Sequence, residues 1–221
     1  MIAASAWATA RGQLYRVLAA AFLRPPTPEL VGPFLDGGVL ADLADRFGDA
    51  AVAELVAFRE TFGTDYRGLD QDYQDLFIVP LGRYVTPYEA VYRDERVVDD
   101  RVVQGLLMGP STLAIRALYR EAGLEVAADV LELPDHVGLE LACMAALCEA
   151  EARARQGAEA EAVARARALQ RRLLEDHLLR WVPPLCARVR ASAPGPFYRG
   201  LASLTEAFLR EEMTGLAAPD A

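Results

Sequence analysis

The stretch from Pro134 to Arg155, PDHVGLELACMAALCEAEARAR, carries the clearest fold signal in the chain. Its apolar residues recur at steps of three and four, which is the spacing of one face of an α-helix. The same spacing extends through most of the sequence, and alanine, the residue with the highest helix propensity, occurs 40 times in 221 residues. The sequence therefore predicts an all-α fold, a single-domain multi-helix bundle over residues 1–221.

Proline, glycine and capping residues set the predicted helix boundaries. The first helix is expected to end at Arg24, before two prolines, and Thr27 is expected to cap a short helix that Gly37 and Gly38 close. Asp135 is expected to cap the long helix. Further helices are predicted over Val39–Phe47, Val52–Phe62, Ser111–Ala122, Ala158–Trp181 and Pro196–Met213. A bend or break is predicted at Pro183–Pro184, after the fourth of these helices. A loop is predicted over Leu81–Pro87, with a capping box at Thr86–Glu89.

The charge composition excludes several functions. The chain has 23 basic and 32 acidic residues, a net charge of −9, and every basic residue is arginine. Without lysine the chain can form neither a phosphate loop of the Gly-Lys-Ser/Thr type, nor a Schiff base, nor a Ser-Lys hydrolase pair. Because neutralising phosphates needs a basic surface, no nucleic-acid partner is predicted.

Cysteine usage and hydropathy indicate the compartment. Cys143, Cys148 and Cys186 are odd in number and form no C-x-x-C pair, so neither a disulfide framework nor a zinc ribbon is indicated. No run reaches the roughly 18 uninterrupted apolar residues of a membrane-spanning helix, and Arg11 and Arg16 interrupt the apolar N-terminal segment. We therefore expect a cytoplasmic protein with no stable membrane insertion.

The segment from Asp65 to Asp100 differs in composition from the rest of the chain. It holds nine acidic residues against four arginines, so −5 of the net charge of −9 lies here. Eight of the 18 aromatic residues lie between Phe58 and Tyr92. Helix-core packing accounts for the aromatic pairs four residues apart, but the tyrosines from Tyr84 to Tyr92 are more typical of a recognition surface.

One helix face offers an alternative function. His136, Glu140 and Cys143 are spaced i, i+4 and i+7, a geometry by which a helix can present metal ligands. Buried cysteines on alanine-rich helices usually serve packing instead, and we expect His177 and Trp181 to pack on one helix face. A metal-dependent helical enzyme using His136, Glu140 and Cys143 is one alternative, and a helical scaffold protein is another.

Three segments resemble the cytoplasmic molybdoenzyme maturation chaperones, the family of the trimethylamine N-oxide, dimethyl sulfoxide and nitrate reductase chaperones. Asp72–Phe77, DYQDLF, resembles the aromatic-x-x-Leu-Phe helix of that family. Thr86–Tyr92, TPYEAVY, resembles its Pro-aromatic-Glu-Ser-Val-Tyr loop, with Ala90 in place of the usual serine. Leu133–His136, LPDH, followed by Glu140 and Leu141, resembles its Pro-x-Asp-His hinge and Glu-Leu helix.

The resemblance extends to the C-terminal segments His177–Trp181 and Pro196–Tyr198, and it implies a function. The family consists of non-enzymatic chaperones. The resemblance implies that the chain binds the twin-arginine signal peptide, or a related leader, of a molybdopterin oxidoreductase catalytic subunit. It would hold this precursor for molybdenum-cofactor insertion before export or assembly, as a monomer or homodimer and with no cofactor of its own.

The resemblance also implies a set of peptide-binding residues. Carboxylates pair with guanidinium groups, so Glu89 and Asp135 are the expected partners of the arginines in the leader. The complete predicted set is Tyr73, Leu76, Phe77, Pro87, Tyr88, Glu89, Asp135 and His136.

Overall fold

A computed structural model describes residues 4–98, 101–105 and 107–217, and it confirms the predicted all-α class. The α-helices of this part of the chain are α1 (Ala4–Leu23), α2 (Pro28–Val31), α3 (Gly37–Phe47), α4 (Asp49–Thr61), α5 (Tyr66–Tyr73), α6 (Glu89–Arg93), α7 (Pro110–Glu121), α8 (Val137–Gln156), α9 (Ala160–Arg172), α10 (Leu179–Ser192) and α11 (Pro196–Ala217). No helix of the described residues is long and apolar enough to cross a membrane.

Shorter elements connect these helices. A 3-10 turn (Gly32–Leu35) follows α2, and π-helical segments follow α5 (Gln74–Ile78) and α9 (Leu173–Leu178). An antiparallel hairpin that the sequence analysis did not predict pairs strand β1 (Glu95–Val98) with strand β2 (Arg101–Gln104).

The N-terminal boundaries agree in part with the prediction. Helix α1 ends at Leu23, directly before Arg24, and the Thr27 side chain caps α2 by accepting a hydrogen bond from the Leu30 amide at 3.3 Å. The prediction that Gly37 and Gly38 close the short helix is wrong, because these glycines begin α3. The reason is Asp36, whose carboxylate caps α3 by accepting from the Gly38 amide at 2.7 Å.

The start of α8 also differs from the prediction. Its N-cap is His136 and not Asp135, since the His136 Nδ1 accepts a hydrogen bond from the Gly138 amide at 3.0 Å. Asp135 instead caps α6, where its carboxylate accepts from the Ala90 amide at 3.0 Å. The predicted capping box at Thr86–Glu89 is wrong as well, because α6 begins at Glu89 and Tyr88, its N-cap, makes no side-chain capping bond.

Of the bend or break predicted at Pro183–Pro184, the break is wrong, because both prolines lie inside α10. Helix α10 begins at Leu179, so both prolines lie beyond its first four residues and each leaves one helical hydrogen bond unmade. The irregularity lies upstream, in the π-helical segment Leu173–Leu178.

The chain divides into two compact units. The first unit contains the described parts of residues 1–20, 88–181 and 213–221, and the second contains residues 21–87 and 182–212. The prediction of one domain over residues 1–221 stays a prediction.

The first unit is built around α8, whose side chains Leu141, Met144 and Cys148 are fully buried. A buried polar network joins α1, α8 and α9. The Arg11 guanidinium donates to Glu151 Oε2 at 3.1 Å and to Gln170 Oε1 at 2.7 Å, and the Gln170 amide donates to Glu151 Oε2 at 2.9 Å. Because each member has partners, the network avoids the cost of an unpaired buried charge.

The second unit has an aromatic core. Phe77 packs edge-on against Phe22 and Tyr198, with ring centroids 5.6 Å apart in both pairs. Helices α4 and α11 approach closely at Gly200, where an added Cβ would lie 2.6 Å from Leu55 Cγ and 2.9 Å from the Leu55 backbone nitrogen. This crossing therefore requires a residue without a side chain.

Candidate functional site

The predicted peptide-binding residues fall into two groups, one in each unit. In the second unit, Tyr73 ends α5, and Leu76 and Phe77 lie on the π-helical segment Gln74–Ile78. Their exposed fractions are 3%, 0% and 5%, and Pro87 is also buried. These four side chains therefore contribute to the core of the second unit.

The end of this π-helical segment and the loop that follows it present apolar side chains to solvent. Ile78, Val79 and Leu81 have exposed fractions of 47%, 39% and 73%. The loop is ordered by backbone hydrogen bonds, among them the Val85 amide to the Leu76 carbonyl at 2.8 Å. The predicted loop over Leu81–Pro87 includes only Leu81 of these residues, and the sequence pattern did not indicate that the three side chains are exposed.

In the first unit, the Tyr88 loop and the Asp135–His136 hinge lie together. Tyr88 and His136 form an isolated antiparallel β-bridge, and their rings meet edge to face at 5.2 Å. The Glu89 amide donates to the Asp135 carbonyl at 3.0 Å, and the Tyr88 hydroxyl donates to the Glu132 carboxylate. Two motifs that are 45 residues apart in sequence are thereby joined.

Most of this second group is buried. Glu89 and Asp135 have exposed fractions of 0% and His136 of 3%, whereas Tyr88 is half-buried. Burial raises the pKa of Asp135, although its hydrogen bond from the Ala90 amide acts in the opposite direction. Burial also lowers the pKa of His136 to about 3, so its imidazole is neutral at physiological pH.

Glu89 is the centre of a buried polar cluster. Its carboxylate accepts a hydrogen bond from Arg93 and lies 2.8 Å from His177 Nδ1. The Glu140 carboxylate accepts from the Trp181 indole nitrogen at 3.1 Å, and burial, followed by the nearby charge of Glu89, raises the pKa of Glu140 well above its usual range. One ligand atom each from Glu89, Glu140 and His177 lies within 4.8 Å of the others.

His177 and Trp181 have polar contacts that their sequence spacing did not indicate. The spacing predicted that they pack on one helix face, and both are buried, yet their polar atoms contact Glu89 and Glu140. His177 and Glu89 are 88 residues apart, so no periodic pattern could have paired them. Only the resemblance of the C-terminal segment to the chaperone family singled out this region.

The predicted metal ligands His136, Glu140 and Cys143 differ from the residues that have metal-ligand geometry in the structure. His136 Nδ1 accepts a hydrogen bond from the Gly138 amide, which leaves Nε2 as the ligand atom of this ring, and burial raises the pKa of the Cys143 thiol to about 12, which opposes formation of the metal-binding thiolate. Among the described residues, the group with metal-ligand geometry is Glu89, Glu140 and His177, and of the predicted set only Glu140 belongs to it.

Residues 44–187 match the model of the family described as nitrate reductase delta subunit. The chain belongs to this family. The matched span covers more than half of the sequence and contains all the candidate residues from Tyr73 to Trp181. Membership agrees with the chaperone family that the three sequence motifs predicted.

Curated relatives of this nitrate reductase delta subunit family member are named as chaperones. The Tat proofreading chaperone DmsD of Salmonella typhi is 29% identical over 206 residues, which cover 92% of this chain and 89% of the relative. The chaperone protein TorD of Shewanella pealeana is 26% identical over 174 residues, covering 79% of this chain and 66% of the relative. The chaperone protein TorD of Vibrio cholerae is 27% identical over 144 residues, which cover 65% of this chain and 60% of the relative.

The chain thus spans about two thirds of the length of these TorD proteins. The relatives carry the names of chaperones and not of enzymes, in agreement with the predicted non-enzymatic function.

Proposed function

We propose that the protein is a redox-enzyme maturation chaperone that binds the twin-arginine signal peptide, or a related leader, of a molybdopterin oxidoreductase catalytic subunit. It holds this precursor for molybdenum-cofactor insertion before export or assembly. Family membership supports the proposal, and the observation that carries it is the pairing of the Tyr88 loop with the Asp135–His136 hinge. In this proposal the chaperone acts in the cytoplasm, as a monomer or homodimer, with no resident cofactor.

In this proposal, some of the predicted site residues contact the peptide and others hold the loop that presents them. Tyr88 is half-buried and borders Glu132, so its ring and this carboxylate are available to a peptide. Glu89, Asp135 and His136 are buried and bonded within the protein, and they hold the Tyr88 loop in place.

The second unit, considered by itself, has a surface that suits an apolar peptide segment. Contiguous exposed apolar residues mark interaction surfaces more often than isolated ones do, and Ile78, Val79 and Leu81 form such a run. Asp72 and Asp75 lie just upstream. Burial raises the pKa of Asp72, the charge of Arg83 lowers it, and the charge of Asp75 raises it by a smaller amount. An arginine of the leader next to Asp72 would favour its ionised carboxylate.

Calorimetric titration with synthetic leader peptides tests the proposal. The peptides are taken from molybdenum oxidoreductases encoded beside this chain, and each is compared with a version in which lysines replace the twin arginines. We expect binding that weakens by about tenfold with the lysine version, because lysine lacks the planar fork of donors that arginine offers a carboxylate. Absence of binding to every leader would overturn the proposal.

Two tyrosine variants localise the site. Tyr88→Ala is expected to weaken leader binding by about tenfold or more, the scale of an aromatic residue that contributes strongly to an interface. Tyr66→Ala is the control, because Tyr66 is also half-buried but packs edge-on against Phe62 in the second unit. Equal affinities for both variants would remove Tyr88 from the site.

A further inference from the structure

Three buried side chains of the first unit converge from three different elements. Glu89 begins α6, Glu140 lies in the first turn of α8, and His177 lies in the π-helical segment Leu173–Leu178. One ligand atom from each lies within 4.8 Å of the other two. We propose that Glu89, Glu140 and His177 bind one divalent transition-metal ion of the zinc class, which clamps these three elements together.

The donor set suits such an ion. Zinc takes imidazole nitrogen and carboxylate oxygen as ligands, and sites with three protein ligands complete their coordination with water. Magnesium is held mainly by oxygen ligands and retains most of its water, so a buried site with an imidazole ligand disfavours it. Among divalent ions of the first transition row, zinc also binds such ligands more tightly than manganese or ferrous iron.

An unpartnered oxygen points to a missing ligand. Glu140 is fully buried, and its Oε1 makes no hydrogen bond to any described residue, although its Oε2 accepts from Trp181. Buried polar atoms in native proteins nearly always have a partner, because an unsatisfied one costs free energy. A bound cation would supply that partner.

The local charge balance favours a divalent cation. Glu89, Asp135 and Glu140 are carboxylates with exposed fractions of 0%, and Arg93 is the guanidinium that pairs with Glu89. Three carboxylates and one guanidinium leave two negative charges when all are ionised. Because isolated buried charge is costly, a doubly charged ion bound at the cluster would compensate the charge of these carboxylates.

The surroundings contain the supporting contacts that metal sites use. Arg93 and Trp181 donate to carboxylate oxygens of Glu89 and Glu140, which fixes the orientation of both candidate ligands. His177 also borders a cavity of about 470 Å³, whose charged lining includes Asp94 and Asp176 as well as Arg93, Arg172 and Arg180.

Zinc titration of the full-length protein tests the site directly. The protein is first treated with a chelator and then titrated calorimetrically with zinc, with magnesium titrated in parallel. We expect one equivalent of zinc to bind, a higher Tm in its presence, and no response to magnesium. A protein that binds no zinc, or whose Tm is unchanged by it, overturns the proposal whatever the variants do.

Matched variants assign the ligands. Glu140→Gln and His177→Asn are each expected to weaken zinc binding by at least about tenfold, since even the loss of a supporting contact costs that much. Glu149→Gln, a change of the same type on α8 at a residue that pairs with Arg153, should bind zinc like the wild type. Circular dichroism establishes that each variant is folded, and Glu89→Gln replaces any variant that is not.

A second comparison excludes the neighbouring set of residues. Cys143→Ala should retain zinc binding, because Cys143 does not belong to the proposed cluster. Loss of binding in Cys143→Ala, with binding retained in His177→Asn, would place the ion elsewhere on α8 and overturn the assignment. Leader-peptide binding is measured separately, so failure of the metal site leaves the proposed chaperone function to its own test.

Discussion

The Asp135 carboxylate accepts a hydrogen bond from the Ala90 backbone amide at 3.0 Å, across 45 residues of sequence. Ala90 is the second residue of α6, so a side chain from the hinge before α8 caps a helix in another part of the chain. The Asp135 carbonyl also accepts from the Glu89 amide at 3.0 Å. The position of the Tyr88 loop therefore depends on the hinge.

Replacing Asp135 tests this dependence. Asp135→Ala is expected to lower the free energy of unfolding by about 2–3 kcal/mol, because it leaves a buried amide without its charged acceptor. Asp135→Asn retains an acceptor oxygen and should cost less. Urea denaturation measures both, and Asp36→Ala, which removes the exposed cap of α3, is the control with an expected loss of about 1 kcal/mol. A loss for Asp135→Ala no larger than that of the control would contradict the buried cap.

Gly200 provides a second prediction. Gly200→Ala places a methyl group 2.9 Å from the Leu55 backbone nitrogen, so α4 and α11 must shift apart. We expect a loss of about 1–3 kcal/mol in thermal or urea unfolding, the usual cost of overpacking. Gly215→Ala on the same helix meets nothing within 4 Å, and it should stabilise the protein by up to about 1 kcal/mol. The prediction fails if the two variants change stability in the same direction.

The lowered pKa of the buried His136 predicts that the stability of the protein depends on pH. Its pKa is about 3 in the folded protein and 6.5 in the unfolded chain, so the unfolded state binds more protons between these values. The stability that the neutral imidazole contributes is therefore complete above pH 6.5 and is lost as the pH falls toward 3. His136→Asn keeps a capping oxygen for α8 but does not titrate.

A comparison of the wild type with His136→Asn isolates the effect of His136 on stability from that of the other titrating groups. The wild type should lose stability relative to His136→Asn by up to about 1.4 kcal/mol per pH unit between pH 6 and pH 4. Urea denaturation across this range measures the difference. Parallel stability curves would show that His136 is protonated equally in the folded and unfolded states.

The cysteines provide a prediction about reactivity. Cys143, Cys148 and Cys186 are buried, and burial raises the pKa of Cys143 and of Cys186 to about 12. Since the thiolate is the reactive form, iodoacetamide at pH 8 should modify the native protein far more slowly than the denatured protein. Mass spectrometry counts the modified cysteines, and rapid labelling of all three in the native state would contradict their burial.

The fold class was predictable because helix periodicity and proline positions are local properties of the sequence. Helix α1 ends before Arg24 and Thr27 caps α2, as those local signals indicate. The prediction failed where a distant group decides the local structure. Asp135 has the sequence position of an N-cap for α8, but it serves α6, and His136 takes its place.

The candidate site was predictable only in part for the same reason. The resemblance to the chaperone family indicated Tyr88 and His136, and the structure brings them together. The resemblance gave no information on burial, so only the structure shows that Leu76 and Glu89 are buried. The contact of Glu89 with His177 spans 88 residues, a separation that no repeating pattern encodes.

The order of the two units along the chain constrains how the protein is made. Helix α11 contributes residues up to 212 to the second unit and residues from 213 to the first. A ribosome must therefore synthesise residue 212 before the second unit has all its segments. Until then, apolar residues of this unit lack the packing that α11 provides, and the nascent protein itself has the exposed surface that general chaperones recognise.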